Sequence, residues 1–422
     1  MNQASSKRTK AGYRHHPEDQ ANSPLKEPDD FVIQVDDEGT FWDKSSSSVD
    51  LRALQHIAEC ASRTNTIVTV FIHGWHHNAH PADRDLNRFA DAQRDLRQAL
   101  TGDVFRRSRE LLTGTADVRV IGIYVGWRGR SLPGVLDYLT PLGRQAAAKR
   151  VGDGDLKGFM GSLNAIYERA NARGTATFMG LVSFGHSFGG QVLFNATGPL
   201  IIAELERAAR GEIESGRPLQ GFGDLVVLAN PALDAKQFED IHHRGRSIAH
   251  GHSQLPLVLV LSAITDKARA RLYKWLRTMK QIFRGGKRTA LETVALGEFA
   301  KHRTHTIMVE EGATGAFDPA IFEREPERIR HYDLTSLPSI GGVTLKPEGE
   351  HHAFNPFIVA AVKVKVISGH SDFKSVLYQF LTSFAAIAQA KRMLLRRRSD
   401  VPVDISGAEP RTDIGVADTF PA

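Results

Sequence analysis

Thr177-Phe178-Met179-Gly180-Leu181-Val182-Ser183-Phe184-Gly185-His186-Ser187-Phe188-Gly189-Gly190 is the stretch on which the reading of the chain turns. Its first half, to Phe184, is a short, strongly apolar run of strand character, and Gln191–Arg210 after it reads as a helix. Between them Gly185 and Gly189 flank Ser187 at the spacing of a sharp strand-to-helix bend, where a Cβ would crowd the turn. A serine hydroxyl is a weak nucleophile until a base activates it and a turn presents it. The start of a helix also puts positive dipole where an oxyanion forms. Ser187 is therefore the candidate nucleophile. The competing reading is a serine that only caps a buried helix.

Outward from this turn, apolar strands alternate with helical stretches. Thr66–Ile72, Val118–Val125, Leu225–Ala229, Leu257–Leu261 and Val362–Ile367 read as strands. Leu51–Ala61, Pro81–Leu100 and Asp372–Leu395 read as helices. Phe31–Val35, an acidic turn ending in Gly39, and Thr40–Trp42 read as a hairpin. This alternation predicts the α/β class, a mostly parallel central sheet with helices on both faces. Two stretches, 128–173 and 267–361, exceed ordinary connections and are expected to be cap-like insertions. Residues 1–28 and 399–422 lack apolar periodicity and are expected to be disordered tails around one domain, 29–398.

The 422 residues carry a net charge of +6. Lys7, Arg8, Lys10 and Arg14 near one end, with Lys391, Arg392, Arg396, Arg397 and Arg398 near the other, account for more than that excess. The body is thus slightly acidic, which argues against a nucleic-acid partner. Cys60 is the only cysteine, so no intrachain disulfide can form, as suits a cytoplasmic protein. No apolar run approaches the roughly 20 residues of a spanning helix.

A nucleophilic serine needs partners. A second oxyanion donor is expected after an earlier strand, at Phe71-Ile72-His73-Gly74-Trp75, which makes the backbone N–H groups of Trp75 and Phe188 the oxyanion pair. His73, His76, His77 and His80 crowd together there and raise a metal reading. They follow a strand, and no glutamate lies between His73 and His77 as in a zinc-peptidase helix, so no metal is expected. The base is expected after the last strand, at His370, with His305, His351 and His352 as alternatives. The acid that orients it is expected at Asp266, with Asp234 as the alternative and helix capping as either residue's bland role. Trp127, Trp275 and Phe159 read as core residues rather than as a lid.

The order Ser187, Asp266, His370, with His73-Gly74 upstream, resembles the α/β-hydrolase superfamily. The blocks Phe-Ile-His-Gly-Trp, Gly-Trp-Arg-Gly, Gly-His-Ser-Phe-Gly-Gly and Gly-His-Ser-Asp are similar to those of bacterial and fungal hydrolases of unassigned substrate, over roughly 31–395. The resemblance implies the α/β-hydrolase fold and ester hydrolysis through an acyl-enzyme, as in a carboxylesterase or lipase-like enzyme. It implies no cofactor, a small-molecule or lipid-like ester as substrate, and no particular ester. A thioesterase or amidase, or a non-catalytic relative serving as an interaction module, is the alternative.

Overall fold

The computed structural model describes residues 23–75, 77–101, 117–127, 141–172, 175–213, 218–248, 254–263, 294–316, 339–348, 355–362, 379–388 and 391. Among them, ten strands form one sheet: β1 (Phe31–Val35), β2 (Asn65–Ile72), β3 (Val118–Trp127), β4 (Met179–His186), β5 (Leu225–Ala229), β6 (Val258–Ala263), β7 (His305–Val309), β8 (Ser339–Ile340), β9 (Val343–Pro347) and β10 (Phe357–Val362). Their order across the sheet is β1-β3-β2-β4-β5-β6-β10-β7-β9-β8. Pairing is parallel from β1 across to β7, and at that edge β9 pairs antiparallel with both β7 and β8, so β9 alone among the described strands is reversed.

The described α-helices are α1 (Val49–Arg63), α2 (Arg84–Thr101), α3 (Pro141–Asp153), α4 (Asp155–Ala170), α5 (Phe188–Ala209), α6 (Glu239–Ser247) and α7 (379–388). Successive strand side chains leave opposite faces of the sheet, and here both faces are covered. On β6, Val258 and Val260 join the core that holds Leu156 and Phe159 of α4 and Val192 of α5. Leu259 and Leu261 join the opposite core, with Phe380 and Phe384 of α7. On that second face α2 brings Leu86 and Phe89 against Tyr124 of β3. Burial on both sides is why these strands read as unbroken apolar runs. No described helix is long and apolar enough to cross a membrane.

The observed architecture is thus α/β with a mostly parallel sheet, and several details differ from the sequence reading. Phe31–Val35 pairs in parallel with β3 along its whole length, and the expected hairpin is reduced to its turn end: the return chain meets it antiparallel at the bridge Val35–Phe41, with Trp42 N–H donating to Gln34 C=O at 3.1 Å. The turn itself is real: Asp36 N–H donates to Thr40 C=O at 2.9 Å, with Gly39 at φ 86°. The last strand of the parallel part is Phe357–Val362, which begins five residues before the expected strand; of that expected strand only Val362 is among the described residues, and 363–378 lie outside them. The stretches expected to be cap-like are built into the body where described. From 128–173 come α3 and α4, which pack on α5 and α1. From 267–361 come β7, β9 and β8, which widen the sheet, and β10, which joins its parallel part. Leu25, inside the stretch read as a tail, is buried in the same cluster as Leu86 and Phe89.

Candidate active site

In an open parallel sheet, ligands bind at the carboxyl ends of the strands, where successive connections leave in opposite directions. The chain leaving β2 goes to β3 on one side, and the chain leaving β4 goes to β5 on the other. The topological switch point of this sheet therefore lies between the ends of β2 and β4. Those ends are His73-Gly74-Trp75 and His186-Ser187, so the two motifs singled out in the sequence meet at this switch point.

Ser187 forms the junction between β4 and α5 with φ 55° and ψ −120°. Non-glycine residues rarely adopt positive φ, and holding one in such a conformation costs on the order of 1–3 kcal/mol. The surroundings enforce it. Ser187 N–H donates to Ala229 C=O at 2.9 Å, and Ser187 C=O accepts from Gly190 N–H at 3.0 Å and Ala232 N–H at 2.9 Å. A Cβ on Gly189 would lie 2.2 Å from the Ile72 carbonyl oxygen, and one on Gly185 would lie 2.7 Å from that of Gly189. Both glycines are thus required by close backbone approach. The Ser187 side chain makes no capping hydrogen bond to α5, so the capping role weighed from sequence is not the one it fills. The residue is only 1% exposed.

Gly74 brings the β2 exit against the serine: a Cβ there would meet Ser187 Cβ at 3.1 Å and His186 Nδ1 at 3.0 Å. Trp75 follows, and its ring meets that of buried Phe188 edge-on, centroids 6.2 Å apart at 84°. The two residues expected to supply oxyanion donors are therefore neighbours at the switch point. Phe188 is the first residue of α5, where backbone N–H groups have no intrahelical acceptor and the helix dipole is positive.

His73 anchors this arrangement from below. Its Nε2 accepts from Trp127 N–H at 3.0 Å, so the proton sits on Nδ1, which donates to Gly74 C=O at 2.8 Å. The indole N–H of Trp127 donates to His73 C=O at 2.9 Å, and the two rings stack at 5.9 Å. Full burial pushes the His73 pKa down to about 4, so the ring is neutral. Both nitrogens are engaged by the backbone and neither is offered to a metal. Of the other clustered histidines, His77 lies between Asp83 (3.0 Å) and Asp85 (3.5 Å), and His80 Nδ1 accepts from Ala82 N–H. Burial works to lower the His77 pKa, but the hydrogen bond to Asp83 and the charges of both aspartates hold it above its ordinary value. His76 lies outside the described residues. Among the described residues no three metal-ligating side chains come together.

Asp266, His370, His351 and His352 lie outside the described residues. The strands that lead to the first two are described. β6 ends at Ala263 and β10 at Val362, both parallel to β4 and opening on the same edge as Ser187. Of the alternatives, Asp234 stands at the N-cap of the single-turn helix Ala235–Phe238, in a reciprocal capping box with Gln237. His305 is level with His186 in the register His186–Ala229–Leu261–Ala360–His305. Four strand spacings of ~4.8 Å put it ~19 Å away. It is buried, with Nδ1 2.8 Å from Thr304 Oγ1. Sequence reading had no means of finding Asn230, whose backbone has φ 44° beside Ser187, because an Asn-Pro step signals an ordinary turn. In comparisons with known proteins, no family model, no curated protein and no solved structure matches this chain.

Proposed function

We propose that this chain is a serine hydrolase of ester bonds with the α/β-hydrolase fold, working through an acyl-enzyme on Ser187. The observation that carries the reading is the strained backbone of Ser187, φ 55° and ψ −120°, at a strand-to-helix turn on the switch point of the sheet. Strain of this kind persists where the surroundings over-determine it, and it characterises a nucleophile elbow. A helix that merely needed a cap would not need such a backbone, and Ser187 does not cap.

In the proposed mechanism His370 takes the proton from Ser187 Oγ as that oxygen attacks the ester carbonyl, and Asp266 holds the imidazole tautomer. The oxyanion is received by the backbone N–H groups of Trp75 and Phe188. The proton passes to the departing alcohol, and water then releases the acid by the same route. Reach supports these partners. From Val362 to His370 is eight residues, up to ~26 Å extended, against ~14 Å for three strand spacings between β4 and β10. Asp266 is preferred to Asp234 because the capping box already occupies Asp234. The substrate is a small-molecule or lipid-like ester, and the chemistry as proposed uses no cofactor.

Turnover of a p-nitrophenyl ester tests the reading. Ser187→Ala and His370→Ala are expected to fall to nearly the same residual rate, since residues acting as one unit lose their effect together. Asp266→Asn is expected to fall by roughly 10⁴, the loss that follows when the base adopts the wrong tautomer, and Asp234→Asn by far less. Full turnover in Ser187→Ala would remove the proposal.

A further inference from the structure

Two non-glycine residues among the described residues have positive φ, Ser187 at 55° and Asn230 at 44°. They are neighbours in space. Asn230 follows β5 directly, and the residues on either side of it hold the serine: Ala229 C=O accepts from Ser187 N–H, and Ala232 N–H donates to Ser187 C=O, both at 2.9 Å. An extended backbone at residue 230 would carry Ala232 onward along β5, away from the elbow. The left-handed conformation instead folds the chain back, so that one strand end supplies both an acceptor and a donor to the same residue.

The turn is fixed from its other sides as well. Asn230 N–H donates to Leu261 C=O on β6 at 2.7 Å, and Asn230 is fully buried. Pro231 lies against the first turn of α5, where a Cβ on Gly190 would come within 3.0 Å of Pro231 Cβ. Asparagine is among the few non-glycine residues that enter the left-handed region without a large penalty, and it does so here although proline follows.

We infer that Asn230 is a positioning residue for Ser187: its left-handed backbone turns the end of β5 into a two-sided clamp on the serine main chain and so holds the elbow in its strained form. The inference rests on the proposal that Ser187 is the nucleophile. Asn230 acts through the Ser187 backbone and touches no reacting atom. What matters is its φ, so glycine, which accepts positive φ freely, keeps the clamp, and alanine does not.

The test is the second-order rate constant for labelling of the full-length chain by a fluorophosphonate. It is measured beside hydrogen exchange of the Ser187 amide and the melting temperature. Asn230→Ala is expected to label about 5- to 30-fold more slowly, the penalty of a left-handed alanine expressed as a rate, with a faster-exchanging Ser187 amide. Asn230→Gly is expected to stay within about threefold of wild type, as rescue by a residue that restores only the backbone. A role in folding alone would lower the melting temperature of Asn230→Ala and leave the labelling rate of the folded protein unchanged, and that result overturns the inference. Asn230→Gly as slow as Asn230→Ala overturns it too, because the side chain and not the backbone would then matter. Should Asn230→Ala fail to fold, Asn230→Ser, which also disfavours positive φ, takes its place: it is expected to label more slowly than Asn230→Gly, and equal rates for the two overturn the inference. A wild-type protein that does not label at Ser187 overturns the proposed function, and the inference with it. Wild-type labelling with an unaffected Asn230→Ala overturns the inference only.

Discussion

Acid should weaken this fold through His73, in a defined direction and amount. The ring is fully buried, and its ordinary value near 6.5 is pushed down to about 4 by that burial. In the unfolded chain the imidazole takes up a proton as pH falls through 6.5, while in the folded chain it stays neutral until about 4. Between those limits the unfolded state binds more protons, so stability rises with pH. The contribution is fully present above 6.5 and is lost progressively as pH falls toward 4. At about 1.4 kcal/mol per pH unit the loss is about 3 kcal/mol. Many carboxylates titrate over the same range, so the quantity to measure is a difference. Urea unfolding of wild type and of His73→Gln, which cannot protonate, is compared at pH 7 and at pH 4.5. The stability gap between them should shrink by about 2 kcal/mol at the lower pH. A constant gap would mean that His73 does not fold as a buried neutral ring, and the Nδ1–H tautomer that ties Gly74 to β3 would fall with it.

Gly189→Ala drives a methyl group into the Ile72 and His73 carbonyls, at 2.2 and 2.4 Å, and should cost about 2–3 kcal/mol in urea unfolding along with most ester turnover. Gly158→Ala is the opposite case: it lies inside α4 with nothing within 4 Å of the new Cβ, and should raise stability by about 0.5–1 kcal/mol. Arg97 holds the buried carboxylate of Asp30 through two hydrogen bonds, 2.5 and 3.0 Å, and Arg97→Met should destabilise by about 3 kcal/mol because it removes the counter-charge and leaves that group only the Gly122 N–H. Asp83→Asn removes a hydrogen bond and a charge that keep His77 more basic than usual, so an NMR titration should find the His77 pKa lower than in wild type.

The parallel strands were readable because each is buried on both faces, which leaves a bounded apolar run with no polar alternation. Leu225–Ala229 was placed to the residue, and Thr66–Ile72 and Leu257–Leu261 to within two. The elbow was readable because close backbone approach demands glycines at fixed offsets from Ser187. Partners distant in sequence were not readable. The acidic turn ending in Gly39 announces a local reversal, yet β1 pairs with β3, about ninety residues on. Near the last strand, Phe357–Val362 and Val362–Ile367 are both apolar runs, and periodicity cannot choose between them. The switch point depends on strand order, which no local pattern carries. Asn230 escaped because its importance comes from what it turns toward, and Asn-Pro has the same spelling in an idle loop.

The most direct test of the account is mass-spectrometric mapping after treatment of the native full-length protein with a fluorophosphonate. The account predicts one modified peptide, carrying the adduct on Ser187, and no adduct in Ser187→Ala, whose melting temperature should stay close to that of wild type. An unlabelled wild-type protein, or an adduct on another residue that persists in Ser187→Ala, would contradict it.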